Sequence, residues 1–281
     1  MLAAVDIGGT KIRILLATRA IKVLAESIMA TPKDRNAALT KITENLRTLA
    51  DNNKIKAIGV TCPGPINKKT GTILNPRNLT WGNIKICDYL QSKFDCPCIL
   101  EHDATAGGIA EVELGSVQGK TTVLFITIST GIGTSIIVDG QPLPSPYNSE
   151  GGTHIIQAQP FPGQQFQNLT AGRAIEHQYK KTPQFISSNK SWDQIAKNLS
   201  IGIYNLAVTV QPDVVVLAGG VAVHFNKFIK PLRKYLAKQD ALYPLPPIVK
   251  AKFVKTAPAI GALLLAEQKI RKLPKKLNYS L

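Results

Sequence analysis

Two glycine-rich turns are the parts of this sequence best suited to chemistry on a phosphate. Gly8-Gly9-Thr10 and Gly131-Ile132-Gly133-Thr134 each follow an apolar segment. Because glycine has no side chain to block the way, backbone N–H groups in such turns can approach a phosphate closely. The threonine at the end of each turn adds a hydroxyl donor. A further pair, Gly219-Gly220, also follows an apolar segment and suits the base or ribose of a nucleotide.

Two carboxylates stand where apolar strands are predicted. Asp6 lies between Val5 and Ile7, where burying a carboxylate is costly unless it has a partner. Asp103 ends another apolar segment, just before a predicted helix. It could be a helix N-cap, or a general base that takes the proton of an alcohol attacking a γ-phosphate. The sequence leaves both roles open.

Alternating strands and helices must position these residues, which favours the α/β class. Val5 to Ala17 indicates two strands joined at Gly8-Gly9, and the same pattern returns 124 residues later around Gly131 to Gly133. This repeat predicts two halves built alike. The remaining patterns predict strands near 21–28, 55–62, 98–101, 123–129 and 214–217, and helices near 34–49, 83–94, 104–114, 172–179, 192–210 and 259–269.

Composition excludes several classes of protein. Of the 281 residues, 44% are hydrophobic and 19% charged, which excludes a disordered chain. The sequence has no run of about 18 apolar residues and no signal-peptide pattern at its start, so we expect a cytoplasmic protein without a membrane partner. The four cysteines form no CxxC pair and are interpreted as reduced thiols.

The charge of the chain is unevenly distributed. Residues 227–281 contain thirteen Lys or Arg residues and two acidic ones, and so carry +11 of the formal net charge of +16. Such a bias is compatible with an anionic partner, for example polyphosphate, although a lysine-rich solvated face is the simpler explanation. Aromatic residues make up only 6% and are not interleaved with the basic ones, so no nucleic-acid partner is expected.

In their order and spacing, these segments resemble the ROK family (repressors, open reading frames and sugar kinases) of the hexokinase–actin–Hsp70 ATPase superfamily. The two phosphate motifs match at 6–11 and 130–134, and the sugar segment at 62–65 with 75–81. The catalytic segment matches at 101–106, the adenosine segment at 217–222 and the closing helix at 260–263. The resemblance implies two ribonuclease-H-like (actin-like ATPase) lobes around a central cleft. The small lobe would be 1–103 with the C-terminal helix at about 257–281, and the large lobe 104–256.

The resemblance also implies ATP- and Mg²⁺-dependent phosphorylation of a hexose, expected on its C6 hydroxyl, with Asp103 as the base. Asp6 would orient the water shell of the metal ion. The other residues implied to hold the nucleotide are Gly8, Gly9, Thr10, Lys11, Thr130, Gly131, Gly133, Thr134, Gly219 and Gly220. Those implied to hold the sugar are Gly64, Asn78, His102, Asp103, Glu150, Thr153 and Gln167.

Three of the sugar positions depart from the family pattern. His102 stands in place of an Asn, Thr153 in place of a His that binds sugar and zinc, and Gln167 in place of a Glu. The family's zinc-binding cysteine cluster is also missing from 159–167, so we expect no structural zinc. These changes leave the identity of the sugar open.

An alternative reading is a catalytically weak or inactive ROK-type sugar sensor. The family's repressors carry a DNA-binding domain before the first phosphate motif, and Asp6 leaves no room for one in this sequence. The presence of Asp103 favours the enzyme. For either reading we expect a small-molecule sugar and ATP as ligands, with polyphosphate as an open alternative donor, and a homodimer.

Overall fold

The fold is described from a computed structural model, for residues 1–76, 79–144, 148–158 and 161–272. Asn78, one of the predicted sugar-binding residues, lies outside these residues. By its internal contacts the chain divides into two compact units. Unit 1 is Met1–Ala106 together with the chain from Pro258 onward, and unit 2 is Gly107–Ala257. Across the described ranges, every helix is too short or too polar to cross a membrane.

Unit 1 is built on a five-stranded sheet. Its strands lie in the order β3-β2-β1-β4-β7, where β1 pairs antiparallel with β2 and parallel with β4, and β4 pairs parallel with β7. The strands are β1 (Leu2–Ile7), β2 (Lys11–Ala17), β3 (Val23–Ala30), β4 (Ala57–Cys62) and β7 (Cys98–His102), and a separate small hairpin is formed by β5 (Ile66–Asn67) and β6 (Thr72–Ile73). The carboxyl ends of β1, β4 and β7 therefore lie at one edge of the sheet.

Unit 1 also contains helices, of which α1 begins at a side-chain cap. They are α1 (Arg35–Ala50), α2 (Ile86–Phe94) and most of α8 (Ala257–Arg271), while α3 (Asp103–Glu113) begins in unit 1 and continues into unit 2. The Asp34 side chain accepts a hydrogen bond from the Ala37 N–H at 2.7 Å and so begins α1. At Gly261 the backbone of helix α8 packs directly against the backbone of α3. A Cβ at this position would lie 1.9 Å from the Ala106 carbonyl oxygen.

Unit 2 repeats the arrangement of unit 1. Its main sheet has the order β10-β9-β8-β13-β14, with β8 antiparallel to β9 and parallel to β13. The strands are β8 (Thr122–Ile128), β9 (Ile132–Val138), β10 (Gln141–Pro142), β13 (Val214–Ala218) and β14 (Ile248–Lys250), and a second, two-stranded sheet is formed by β11 (Ile155–Ala158) and β12 (Phe161–Gln165). The helices are α4 (Phe166–Thr170), α5 (Gly172–Tyr179), α6 (Asn189–Val210) and α7 (Phe225–Leu236), with 3₁₀ turns at Gly151–Thr153, Pro183–Phe185 and Ala222–His224.

The predicted α/β class and the predicted duplication are confirmed. Both main sheets place the first strand of a hairpin between its antiparallel partner and a parallel strand. Several elements were not predicted. The polar stretch before Gln167 forms β11, β12 and α4, and the chain after Gly220 forms α7 and β14. Helix α7 contains Pro231, a residue that ordinarily ends a helical pattern.

Each unit has its own hydrophobic core. In unit 1 the core joins the sheet to apolar residues of α1 and α2, such as Ile42 and Leu90. In unit 2 it is centred on large buried side chains that include Trp192, Phe166 and Phe228. Two separate cores of this kind make each unit a rigid support for the residues at the end of its sheet.

Candidate active site

The edge of the unit 1 sheet gathers four of the predicted site residues. Asp6 is in the last part of β1, Gly64 follows β4 by two residues, and His102 and Asp103 lie at the end of β7 and the start of α3. The strand register pairs Asp6 with Thr61, and Cys62 with His102. Ligands of open parallel sheets bind at the carboxyl ends of the strands. This edge is therefore a candidate site within unit 1.

The two carboxylates at this edge act on one another. Asp6 is partly buried, and burial together with the negative charge of Asp103 raises the pKa of Asp6 from 3.8 to about 7. A hydrogen bond from the Thr61 hydroxyl to Asp6 Oδ1, at 2.9 Å, and the charge of Arg13 oppose this rise in pKa. Mg²⁺ is usually held by one or two carboxylates together with phosphates and water. Asp6 and Asp103 fit such an ion, since its charge would offset their repulsion.

Asp103 is the first residue of α3, and its role as a general base stays a prediction. Its Oδ1 accepts a hydrogen bond from the Ala104 N–H at 2.6 Å, which ties the carboxylate to the first turn of α3. It also lies 3.5 Å from His102 Nε2. Because 26% of the Asp103 side chain is exposed, the carboxylate remains within reach of a substrate. Only 4% of the His102 side chain is exposed, which favours support of Asp103, and its predicted sugar contact stays a prediction.

The first glycine turn is held by a residue that the sequence reasoning missed. The Thr31 hydroxyl donates to the Gly8 carbonyl oxygen at 2.6 Å, and the Thr31 N–H donates to the Thr10 carbonyl oxygen at 3.1 Å. The Gly8 N–H is itself used inside the turn, where it donates to the Lys11 carbonyl oxygen at 2.8 Å. Contact with a phosphate would therefore fall to Gly9, Thr10 and Lys11, of which the last two are exposed.

The second glycine turn and Gly219-Gly220 lie at the corresponding edge of the unit 2 sheet. The parallel pairing of β8 with β13 places the two turns at neighbouring strand ends. A Cβ on Gly131 would lie 3.1 Å from Gln167 Oε1, so this predicted sugar residue borders the turn that holds Thr130, Gly131 and Gly133. Gly219 has a φ of +90°, and a Cβ there would lie 2.4 Å from the Ile128 carbonyl oxygen, so only glycine fits.

Thr134 supports the loop that carries Glu150. The Thr134 side chain is buried, its hydroxyl accepts a hydrogen bond from the Gly151 N–H at 2.8 Å, and its oxygen lies 2.8 Å from Ser149 Oγ. The Thr153 hydroxyl donates to the Glu150 carbonyl oxygen at 2.7 Å and closes the same loop. These bonds give Thr134 and Thr153 structural work, and their predicted contacts with phosphate and sugar stay predictions. Ser149 has no motif that could have marked it.

The contacts of the His154 ring do not favour a metal-binding role. Its Nδ1 is hydrogen-bonded to the Gly151 carbonyl oxygen, and its ring centre lies 5.2 Å from that of Phe166. Within the described ranges, His, Cys, Asp and Glu side chains form no group of three or more that could hold a metal ion. The expected lack of zinc stays a prediction for chemical analysis.

Known sequences similar to this chain include kinases of sugars. The sequence profile of the ROK family matches residues 2–269. An uncharacterized protein of Clostridium perfringens is 28% identical over an alignment of 286 positions. The alignment covers 93% of this chain and 96% of that protein. A glucokinase of Halalkalibacterium halodurans is 25% identical over an alignment of 275 positions. The alignment covers 82% of this chain and 83% of that enzyme.

Solved structures with the same fold belong to the same family. A ROK hexokinase from Thermus thermophilus is 26% identical, with a TM-score of 0.76 over 96% of this chain and 99% of that one. A ROK family glucokinase from Streptomyces griseus, in complex with glucose and AMPPNP, has a TM-score of 0.81 at 22% identity over 95% and 99% of the two chains, and shows the fold alone. The chain has the actin-like ATPase fold and belongs to the ROK family.

Proposed function

We propose that this protein is an ATP-dependent sugar kinase that phosphorylates a hexose, on the C6 hydroxyl, with Asp103 as the general base. The observation that carries the proposal is the Asp103 carboxylate, which is tied to the start of α3 yet partly exposed beside Asp6. The similarity to a glucokinase and a hexokinase supports this choice of substrate class.

In the proposed reaction, Asp103 accepts the proton of the sugar hydroxyl while that oxygen forms a bond to the γ-phosphorus of ATP. The bond between the γ-phosphorus and the bridging oxygen breaks, and ADP leaves. Positioning and charge neutralisation supply most of the catalysis in such transfers. Mg²⁺, when bound, would neutralise charge on the β- and γ-phosphates, and Asp6 would hold its water shell.

The remaining groups are assigned to the nucleotide and the sugar. In unit 1, Gly9, Thr10 and Lys11 would contact phosphate through a turn that Thr31 holds in shape. In unit 2, Gly131 would do so through a turn closed by the hydrogen bond that the Ser129 N–H donates to the Gly131 carbonyl oxygen at 2.9 Å. Gly220 would lie against the nucleoside, for which there is room, because apart from its chain neighbours no heavy atom of the described residues comes within 4 Å of the position of its missing Cβ. Glu150 and Gln167 would bind sugar hydroxyls, because carboxylate and amide oxygens accept hydrogen bonds from them.

A sugar-binding regulator without turnover is the second candidate. The observation that favours it is the change at the sugar positions, above all a buried imidazole at His102, where the family pattern has an amide. The fold is compatible with this function, since a ROK family transcriptional regulator has a TM-score of 0.80 at 17% identity, over 95% of this chain and 78% of that one. Such a protein would bind a sugar and leave ATP intact.

The deciding experiment measures ADP release from ATP and Mg²⁺ with a panel of hexoses, for the wild-type protein and for Asp103→Asn. The amide keeps the shape of the side chain but cannot accept the proton, so turnover should fall by about 10²–10⁴-fold. Nucleotide affinity should stay within a few fold. Asp139→Asn, which removes an exposed carboxylate from a turn of unit 2, is the matched control and should behave as wild type.

Two results would overturn the proposal. If Asp103→Asn keeps more than about half of the wild-type rate, Asp103 is not the base. If the wild-type protein binds a hexose by calorimetry but releases no ADP with any sugar of the panel, the regulator is the correct reading.

A further inference from the structure

A lysine outside the family motifs reaches the segment that carries Asp103. Lys68 follows β5 at the turn of the small β5–β6 hairpin, four residues after Gly64. Its Nζ lies 2.9 Å from Glu101 Oε1 and 3.2 Å from Glu101 Oε2, so the ammonium group contacts both oxygens of the carboxylate. The Glu101 side chain is only 10% exposed, whereas that of Lys68 is 44% exposed. The lysine is thus the solvent-facing partner of a nearly buried acid.

The same carboxylate holds the backbone next to the proposed base. Glu101 Oε1 also accepts a hydrogen bond from the His102 N–H at 2.8 Å. The His102 imidazole in turn lies 3.5 Å from Asp103 Oδ1. Lys68, Glu101, His102 and Asp103 therefore form one continuous series of contacts, all within unit 1.

The charge balance makes Lys68 the controlling member of this series. A nearly buried carboxylate is costly without a cationic or hydrogen-bonding partner. Without Lys68, Glu101 would be drawn toward water and away from the His102 N–H. Pairs of two exposed charges contribute only about 0–1 kcal/mol to folding stability, but Glu101 is nearly buried, so loss of Lys68 also lowers the stability of the protein. The effect on the rate is separate, because displacement of a catalytic group by about 1 Å can cost up to about 10²-fold in rate.

We propose that Lys68 is a positioning residue, whose ion pair with Glu101 holds the backbone of His102 and thereby fixes the Asp103 carboxylate for proton transfer. The proposal rests on the proposed function. Lys68 acts through Glu101 and does not itself touch the reacting atoms. The hairpin that carries Lys68 begins just after Gly64, so the ion pair also links a predicted sugar-binding segment to the base.

Three variants separate this role from a general effect of charge or stability. Lys68→Met removes the ammonium group and keeps the length of the side chain. Lys68→Arg restores a cation at the same position. Lys69→Met is the matched control, because Lys69 is the adjacent exposed lysine and forms no ion pair among the residues that the structure describes.

We expect kcat of Lys68→Met to fall about tenfold, within the range that misplacement of a catalytic group produces. KM for ATP should stay within about twofold of the wild-type value, since no residue assigned to the nucleotide is changed. The melting temperature should fall as well, because the nearly buried Glu101 carboxylate loses its cation, so kcat is compared well below the unfolding transition of each variant. Lys68→Arg should recover most of kcat, and Lys69→Met should match the wild type.

A second measurement does not depend on turnover. Amide hydrogen exchange at His102 should be at least about fivefold faster in Lys68→Met than in the wild type, because the N–H loses its carboxylate acceptor, and unchanged in Lys69→Met. If the wild-type protein phosphorylates no sugar, the proposed function fails, while the exchange data still test the hold on His102. Unchanged exchange at His102, or an unchanged kcat in an active protein, would overturn the positioning role.

Discussion

We expect the ionised Asp6 carboxylate to lower the free energy of unfolding of the protein. Its carboxyl has a pKa of 3.8 when unfolded and about 7 when folded, because burial and the charge of Asp103 disfavour the ionised form. The folded state therefore binds a proton more tightly than the unfolded state. In buffer without divalent cations, the free energy of unfolding should fall as pH rises from about 4 to about 7, and level off above that range.

The size of this effect follows from the same pKa values. A rise from 3.8 to about 7 corresponds to at most about 4 kcal/mol at pH 8. The side chain is only partly buried, so solvent screening reduces the effect, and we expect about 2 kcal/mol. Asp6→Asn has no charge to bury, and its amide oxygen can still accept the hydrogen bond that the Thr61 hydroxyl donates. The variant should thus be about 2 kcal/mol more stable than wild type at pH 8 and equal to it at pH 4, while losing the proposed kinase activity.

Tryptophan fluorescence can follow the unfolding of unit 1 alone. The chain has two tryptophans, Trp81 in unit 1 and Trp192 in unit 2, so a Trp192→Phe background leaves Trp81 as the reporter. Urea unfolding at pH 4, 6 and 8 then compares Asp6→Asn with its parent. Asp51→Asn, which removes an exposed carboxylate at the end of α1, should change the free energy of unfolding by less than about 0.5 kcal/mol. If Asp6→Asn gains no stability between pH 4 and pH 8, the assigned cost of burying this carboxylate is wrong.

Three further predictions concern other parts of the chain. In a Trp81→Phe background, where Trp192 is the reporter, Glu111→Gln should destabilise unit 2 by at least about 2 kcal/mol in urea unfolding, because the buried Glu111 carboxylate accepts hydrogen bonds from the backbone N–H groups of Lys252 and Phe253. Glu113→Gln, at an exposed position, should not. Elemental analysis of the purified protein should find no stoichiometric zinc, and about one zinc per chain would contradict this. Inorganic polyphosphate should donate to the sugar or compete with ATP at low salt and lose the effect as salt rises, since charges are screened beyond about 8 Å at physiological ionic strength; with neither effect, the basic residues 227–281 are only a solvated face.

Much of the fold could be predicted from local sequence patterns. Glycine turns between apolar runs predict the β1–β2 and β8–β9 hairpins, and the helical spacing of apolar residues predicts α1, α5 and α6. Helix α7 and strands β11 and β12 escaped prediction. Their formation depends on contacts distant in sequence, as where the buried Phe228 of α7 stacks on Trp192 of α6 at 6.1 Å between ring centres. Local sequence patterns cannot predict such contacts.

The candidate site shows the same division. The identities of Asp6, Asp103 and the glycines are sequence features, and motif spacing was enough to select them. Thr31 and Lys68 carry no comparable signal, since a lone threonine or lysine is common on any surface. Their proposed roles arise from long-range contacts, of Thr31 with the carbonyl oxygens of Gly8 and Thr10 and of Lys68 with the Glu101 carboxylate.

The sequence by itself determined which chemical groups this protein has and in what order, and hence its family resemblance. Only the tertiary structure decided how these groups act on one another. Asp6 and Asp103 are far apart in the chain, and they interact because β1, β4 and β7 run parallel in one sheet and end at one edge. Burial at that edge and the charge of Asp103 then raise the pKa of Asp6, an effect that comes entirely from its surroundings in the tertiary structure.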